Sequence, residues 1–270
     1  TAIARNDPGI IAWAIGATVD YSGASALPDQ EFRDASRALG AAKPGSLAVF
    51  DAVSLGRGGE IILDFAKPIV NGLGADFAVF ENSFSDTFLE LGAVWVSDGS
   101  LAPDGSGNKL FLPFADTRSL TSSPVNAFGT LDPTNIDGLA GKYRGGFGTP
   151  FDLDSLVPLI NLIKVDLPSF NFDLNNIEQV KIVDIVGDGF VKDGAGAPIY
   201  DPYPTVGSTG FDLDAVGVIH QQGGPPDPEP ALGVIPVPVP ISFMLVQAFL
   251  FLGFSVFNSK NKKGSQYENG

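Results

Sequence analysis

The chain contains no cysteine and a single histidine, His220, among its 270 residues. The absence of cysteine excludes disulfide bonds, thiolate zinc sites and a cysteine nucleophile. One histidine excludes a metal site built from several histidines, and no G-x-S-x-G sequence accompanies it to suggest a serine hydrolase. Basic residues are also scarce, because 16 lysines and arginines stand against 31 acidic residues, for a formal net charge of −15. This balance argues against a nucleic-acid partner, which needs a basic surface.

Turn-forming and apolar residues are abundant instead. Glycine and proline number 33 and 21, and 44% of the chain is hydrophobic, with 21 phenylalanines. Many short apolar runs bounded by glycine and proline predict an all-β fold, a β-sandwich or jelly roll. The predicted strands cover residues 46–53, 60–65, 76–81, 93–97, 109–114, 180–186 and 211–219, with short helices at 29–39 and 151–162.

Composition divides the chain into four segments. Residues 1–222 form the predicted β jelly-roll domain, and residues 223–240 form a linker with seven prolines. Residues 241–257 carry no charge over 17 positions, and residues 258–270 form a basic and polar tail. An uncharged run of this length reaches the short limit for a membrane-spanning helix, so the sequence predicts a C-terminal hydrophobic anchor helix. A buried helix of the globular domain is the alternative interpretation.

The order of these C-terminal segments has a counterpart in a known class of signals. The run Pro-Val-Pro-Val-Pro at 236–240, the hydrophobic stretch and the lysines at 260–263 resemble PEP-CTERM sorting signals of bacteria. The resemblance implies export, with a final location at the cell surface, associated with the outer membrane or extracellular. It also implies contact with a membrane through the C-terminal segment before any processing.

The globular part carries a second resemblance. The segments 38–41, 54–61 and 94–99 resemble galactose-binding-like (discoidin-type) jelly rolls. The segments 71–84, 148–153, 183–189 and 198–219 resemble a group of uncharacterised bacterial cell-surface proteins. The first resemblance implies a structural calcium site in which an acid of a late strand meets an early loop. Neither resemblance implies an established activity.

Aspartates are concentrated near the end of the globular part, at six positions within residues 184–214. Alternation along the last strand predicts Asp212 and Asp214 on the face that also carries Val216 and Val218. A carboxylate on a core-facing position must be paired or bound to a metal, and calcium prefers such oxygen ligands on loops. A solvated acidic surface is the alternative. The predicted calcium ligands, with an early-loop residue that the resemblance suggests, are Asp34, Asp188, Asp201, Asp212 and Asp214.

Candidate ligand-binding residues come from two further segments. In the strand at 93–97, Val94 and Val96 are predicted to point inward and Trp95 outward, where an indole suits stacking on a sugar. A Trp95 covered by a loop or held between two subunits is the alternative. The glycine-rich stretch 141–148 lacks the spacing of a phosphate loop and is predicted to be a flexible or tightly turned loop near a ligand face. Its Lys142, Tyr143 and Arg144 are candidates for contact with a partner.

These features predict an exported, non-catalytic surface or extracellular-matrix protein. The expected partners are polysaccharide or further copies of the chain, with calcium supporting the fold. Two alternatives stay open: a glycan-active hydrolase or lyase that uses Asp or Glu, for which Asp76 and Glu81 are candidates, and a filament or surface-layer subunit.

Overall fold

The computed structural model describes residues 1–44 and 51–225. These residues form an all-β, β-sandwich-like architecture in which every paired strand of the sheets is antiparallel. The strands, in chain order, are β1 (Ile3–Ala4), β2 (Ala12–Trp13), β3 (Gly16–Asp20), β4 (Val53–Ser54), β5 (Glu60–Ile69), β6 (Phe77–Glu81), β7 (Gly92–Ser97), β8 (Leu112–Pro113), β9 (Arg118–Ser119), β10 (Ile136–Asp137), β11 (Phe147–Phe151), β12 (Ile177–Asp184) and β13 (Asp212–Val218).

Two sheets account for most of these strands. A six-stranded sheet has the order β1-β11-β6-β13-β2, with β4 also pairing with β13. A five-stranded sheet has the order β3-β5-β12-β7-β8, and β9 and β10 form a small separate ribbon. One main hydrophobic core contains buried side chains from both large sheets, which is the arrangement of a sandwich.

Alternation of apolar and polar residues explains the five-stranded sheet. In its central strand β12, Val180 and Ile182 are fully buried, and Val180 pairs with Leu63 of β5 and Val96 of β7. The intervening Lys181 lies on the opposite face, where it is only partly covered. The predicted inward direction of Val94 and Val96 is therefore confirmed, since both belong to the main core.

Strand β13 does not keep a strict alternation. The pairing of β13 with β6 shifts register between Leu213 and Ala215. As a result Leu213 shares the main core with Val216 and Val218, while Ala215 belongs to a smaller cluster on the other side of the sheet. The prediction that Asp212 and Asp214 share the face of these valines was wrong, because an extra residue reverses the direction of the side chains.

Helical structure is limited in the described chain. One α-helix, α1, covers Val157–Asp166 and follows a 3₁₀ turn at Leu153–Leu156, close to the predicted helix at 151–162. The predicted helix at 29–39 is instead two 3₁₀ turns, Gln30–Phe32 and Ala35–Ala38. Of the predicted strand at 109–114, only Leu112–Pro113 pairs as a strand.

Some predictions fall outside the described residues. These are most of the strand at 46–53, nearly all of the linker at 223–240, the hydrophobic stretch at 241–257 and the tail at 258–270. Within residues 1–44 and 51–225, no helix has the length and hydrophobicity that a membrane crossing requires.

Candidate functional site

Five carboxyl groups meet where strands of both sheets end. Glu81 closes β6, Asp184 closes β12, and Asp212 opens β13 beside Glu81. Glu90 precedes β7, whose first residue, Gly92, pairs with Asp184, and Asp201 lies in the long connection between β12 and β13. Each of these side chains is at most 5% exposed. We call this group the carboxyl cluster; its members are Glu81, Glu90, Asp184, Asp201 and Asp212.

Backbone amides hold several members of the carboxyl cluster in place. Asp184 accepts hydrogen bonds from the amides of Gly58, at 2.8 Å, and Phe211, at 2.7 Å. Asp201 accepts one from the amide of Leu91 at 2.9 Å. Asp212 accepts a hydrogen bond from the Ser54 hydroxyl, across the β13–β4 pair. These bonds join turns from distant parts of the sequence, so the cluster fixes one end of the sandwich.

Burial raises the pKa of every acid of the carboxyl cluster, and neighbouring acids add to the rise at all of them except Asp184. Burial is the largest cause throughout, because a low-dielectric interior disfavours the charged form. It raises the pKa of Asp184 and of Asp212 to about 7, and the neighbouring Asp184 charge adds to the rise at Asp212. The pKa values of Glu81, Glu90 and Asp201 lie well above the ordinary range, since burial and the adjacent carboxylates act in the same direction. Near pH 7 the cluster therefore holds protons or needs a cation.

A small enclosed space adjoins the carboxyl cluster. Its volume is about 10 Å³, the size of one water molecule, and Glu90, Asp184 and Asp201 line it together with Arg57 and Tyr203. The Arg57 guanidinium lies over the Tyr203 ring at 5.4 Å and donates to the Thr205 carbonyl at 2.8 Å. Its Nε is buried with no hydrogen-bond partner among the described residues. The space admits a water molecule or a single ion but no organic substrate.

The predicted calcium ligands do not all come together. Asp201 and Asp212 belong to the carboxyl cluster, and Asp188 is an exposed residue whose charge raises the pKa of Asp201. Asp34 is exposed and caps a 3₁₀ turn, where its Oδ1 accepts from the Ser36 amide at 3.0 Å. Asp214 is fully buried but pairs with Lys43, whose Nζ lies 3.2 Å from Asp214 Oδ1 and whose amide donates to Oδ2 at 2.9 Å.

The described part of the chain holds no preformed metal site. No group of three or more histidine, aspartate or glutamate side chains stands there in an arrangement that could hold a metal ion. The predicted set does not fit calcium as it stands, because Asp214 is neutralised by Lys43 and Asp34 serves its own turn.

The predicted ligand-binding residues are not members of the carboxyl cluster, although Trp95 lines the same cavity as Asp184. Trp95 is half-buried on the outer face of β7, with the Lys181 ammonium 5.0 Å from its ring centre. It borders a mostly apolar cavity of about 110 Å³ that Pro113 and Leu139 also line. Tyr143 is half-buried beside Lys142, and Arg144 is exposed, 3.8 Å from Asp86.

A second polar centre lies at the opposite end of β6 and β13. Asp76 directly precedes β6 and is fully buried, and His220 follows β13. Asp76 Oδ1 lies 2.7 Å from His220 Nδ1 and accepts from the Gly72 amide at 2.7 Å, while Oδ2 accepts from the Leu153 amide at 2.7 Å. Burial raises the pKa of Asp76 to about 6, even though these donors act to lower it.

Sequence reasoning missed part of both centres. Glu90 carried no local pattern, and Asp184 was one of several aspartates on glycine-rich loops. His220, the single histidine, belongs to no recognisable motif. A position at the end of a strand is the feature that several cluster acids share, since Glu81, Asp184 and Asp212 each stand at the terminus of a strand.

The fold and these centres define a β-sandwich-like protein with a closed carboxyl cluster at one end and an Asp–His pair at the other. Comparison of the chain with models of protein families, with curated proteins and with solved structures found no significant match.

Proposed function

We propose that this chain is an exported, non-catalytic cell-surface or extracellular-matrix protein that binds polysaccharide or further copies of itself. The proposal includes a jelly-roll topology for the sandwich and a PEP-CTERM-like sorting signal in the C-terminal segments. It also includes calcium as a support of the fold. The observation that carries it is the closure of the carboxyl cluster.

Closure argues against catalysis at the cluster. A catalytic acid or base must come within hydrogen-bond distance of the bond it acts on. The acids here are at most 5% exposed, and the spaces that they line, of about 10 Å³ and, for Asp184, about 110 Å³, fall below the usual range for ligand sites. The buried acids of the carboxyl cluster can bind protons or one ion. Such binding changes the free energy of unfolding.

Calcium is the cation that suits this role in an exported protein, since it takes six to eight oxygen ligands at about 2.3–2.6 Å. The ligands in this proposal are members of the carboxyl cluster, chiefly Asp201 and Asp212, with Asp188 at its edge. Because no three described carboxyl groups converge in a metal arrangement, the ion would have to draw them together. The gain would be relief of the repulsion that raises their pKa values.

Thermal unfolding of the full chain at pH 7.5, in calcium and in chelator, tests the calcium part. A hundredfold excess of calcium over its Kd should stabilise the fold by about 2.7 kcal/mol. Asp201→Asn should remove most of this difference, whereas Asp34→Asn, at an exposed turn, should keep it. Identical melting curves in calcium and chelator, with no metal found by elemental analysis, would contradict it.

Incubation of the protein with polysaccharides tests the proposed binding of polysaccharide and the proposed absence of catalysis. Binding without shortened products supports a non-catalytic binding protein, and release of shortened products would instead establish the glycan hydrolase or lyase alternative. Polymers in electron micrographs of the purified protein would establish the filament or surface-layer alternative.

A further inference from the structure

An open groove lies beside the Asp76–His220 pair. Its volume is about 420 Å³, within the usual range for ligand sites. It runs between the turn that follows β5, the loop before β12 and the residues that follow β13. The side chains that bear on its chemistry are Asn71, Asn175, His220, Gln221 and Gln222.

The wall of this groove is fixed by the buried Asp76. One carboxylate oxygen holds both the Gly72 amide and His220 Nδ1, and the His220 amide donates to the Asp76 carbonyl at 3.1 Å. The Val70 amide in turn donates to the His220 carbonyl at 3.1 Å. Two of the three groove segments are therefore tied to each other before any ligand arrives, which lowers the entropy cost of binding.

The polar groups of the groove are mostly neutral. Four amide side chains, which both donate and accept hydrogen bonds, line it together with one imidazole, and no lysine, arginine, aspartate or glutamate is among its described lining residues. Asn71 Nδ2 donates to Asp154 at 2.7 Å, and Asn71 Oδ1 is enclosed without a hydrogen-bond partner in the described chain.

Charge around the groove disfavours an anion. Asp76 lies directly behind His220, and Asp152 is close enough for the two charges to interact. Asp154 adds a further carboxylate through Asn71, and Lys67 lies near Gly223. The chain as a whole carries a formal charge of −15. A ligand with many hydroxyl groups and no negative charge fits these surroundings.

We propose that this groove, formed around His220 and the amides of Asn175 and Gln222, is a binding site for a neutral polysaccharide. The inference rests on the proposed function and gives it a location and a ligand class. Amide side chains can form paired hydrogen bonds with neighbouring sugar hydroxyls, and an open groove accepts an internal segment of a long chain.

The groove suits a sugar better than the surroundings of Trp95. The Lys181 ammonium already occupies a position 5.0 Å from the indole ring centre. The cavity beside Trp95 holds about 110 Å³, below the usual range for ligand sites, and its lining is mostly apolar.

Affinity electrophoresis of the full chain tests the inference, with dextran, xylan or galactomannan in the gel as neutral probes and alginate as an anionic probe. Asn175→Ala combined with Gln222→Ala should weaken binding to a neutral probe by about tenfold, the loss expected for two hydrogen bonds, at an unchanged melting temperature. Both side chains are exposed, and neither makes a hydrogen bond to another of the described residues that its loss would break. Gln30→Ala combined with Asn108→Ala, two exposed amides elsewhere, is the matched control and should bind as the wild type does.

The outcomes separate this inference from the proposed function. If neutral polysaccharide retards the Asn175/Gln222 variant as strongly as the wild type, the groove is not the site. If Trp95→Ala loses binding in that case, polysaccharide binding stands but belongs to the outer face of β7. Retardation of the wild type by alginate alone overturns the neutral ligand class, and no retardation in any gel overturns both the inference and the proposed binding of polysaccharide.

Discussion

The two ends of strands β6 and β13 bury carboxyl groups in contrasting surroundings. At one end Asp76 is surrounded by donors: two backbone amides and the His220 imidazole lie 2.7 Å from its oxygens. At the other end Glu81 and Asp212 lie among further carboxyl groups, and burial together with these neighbouring acids raises the pKa of Glu81 well above its ordinary range. A buried acid can therefore hold one end of a sandwich together or place it under electrostatic strain. Hydrogen-bond donors around a buried acid favour the first outcome, and neighbouring acids favour the second.

The largest effect should come from removing the donor-rich acid. Asp76→Ala leaves two amides and an imidazole buried without their acceptor, and we expect the free energy of unfolding to fall by about 3–5 kcal/mol, as for a broken buried pair. Urea denaturation measures the loss. Asp116→Ala, at an exposed loop position, is the control and should change stability by less than about 0.5 kcal/mol.

Asp76→Ala is also the variant most at risk of not folding. Asp76→Asn keeps one carbonyl acceptor and should lose about half as much free energy of unfolding. Equal stability of the Asn variant and the wild type at pH 7.5 would show that the ionised carboxylate is unimportant there.

The second effect concerns pH and the carboxyl cluster. In chelator, the folded-state pKa values of about 7 at Asp184 and Asp212 exceed the ordinary value of 3.8, so the folded state binds more protons. The stability that these protons provide is complete below about pH 4 and is lost as the pH rises through about 7. Each group loses about 2.6 kcal/mol between pH 5 and pH 8, so we expect the free energy of unfolding to fall by up to about 5 kcal/mol over this interval.

Denaturant titrations at several pH values measure this loss, and calcium should reduce it if the ion binds the cluster. A free energy of unfolding that rises between pH 5 and pH 8 would contradict the crowded-acid interpretation.

A smaller effect is expected at the partner of Asp76. His220→Ala removes one of the donors to a carboxylate that keeps its two amides, so the loss should be about 1–2 kcal/mol. Gln222→Ala, two residues further along, is the matched control. If His220→Ala equals Asp76→Ala in cost, the imidazole rather than the amides determines the stability of this end.

The smallest effect should have the opposite sign. Glu90→Gln keeps the shape of a protonated glutamate and removes a charge from the carboxyl cluster. At pH 8 we expect a gain of about 0.5–1 kcal/mol, and at pH 5 a smaller one, because burial and the neighbouring acids raise the pKa of Glu90 and favour its neutral form as the pH falls. The exposed Glu31→Gln should show neither effect. Destabilisation at both pH values would mean that Glu90 has a structural acceptor role.

Sequence patterns predicted the strands whose buried positions alternate, such as β5, β7 and β12. They missed β3 and β11, because no residue of β3 is fully buried and β11 contains Gly148 and Pro150. Pro150 pairs with Ala78 without donating a hydrogen bond, so local preference there opposes the fold.

Only part of the carboxyl cluster could be predicted from the sequence, because some of its members are brought together by strand pairing alone. Asp201 and Asp212 stood out through local density, whereas Glu81 and Glu90 join them only through the pairing of β6 with β13 and the position of β7. Lys43 pairs with Asp214, which is 171 positions away in the sequence, and no local pattern predicts a partner at that distance. One inserted residue in β13 also changed the side-chain directions, which periodicity could not reveal.

The position of β13 sets the order in which the chain can assemble. It is the last strand of the described chain, yet it lies inside the six-stranded sheet, between β6 on one side and β2 and β4 on the other. Until residues 212–218 leave the ribosome, the earlier strands of that sheet lack the neighbour that joins them, and a nascent chain stays short of its native sheet. The six-stranded sheet is therefore completed by a strand from the end of the described chain, and its earlier strands are joined last.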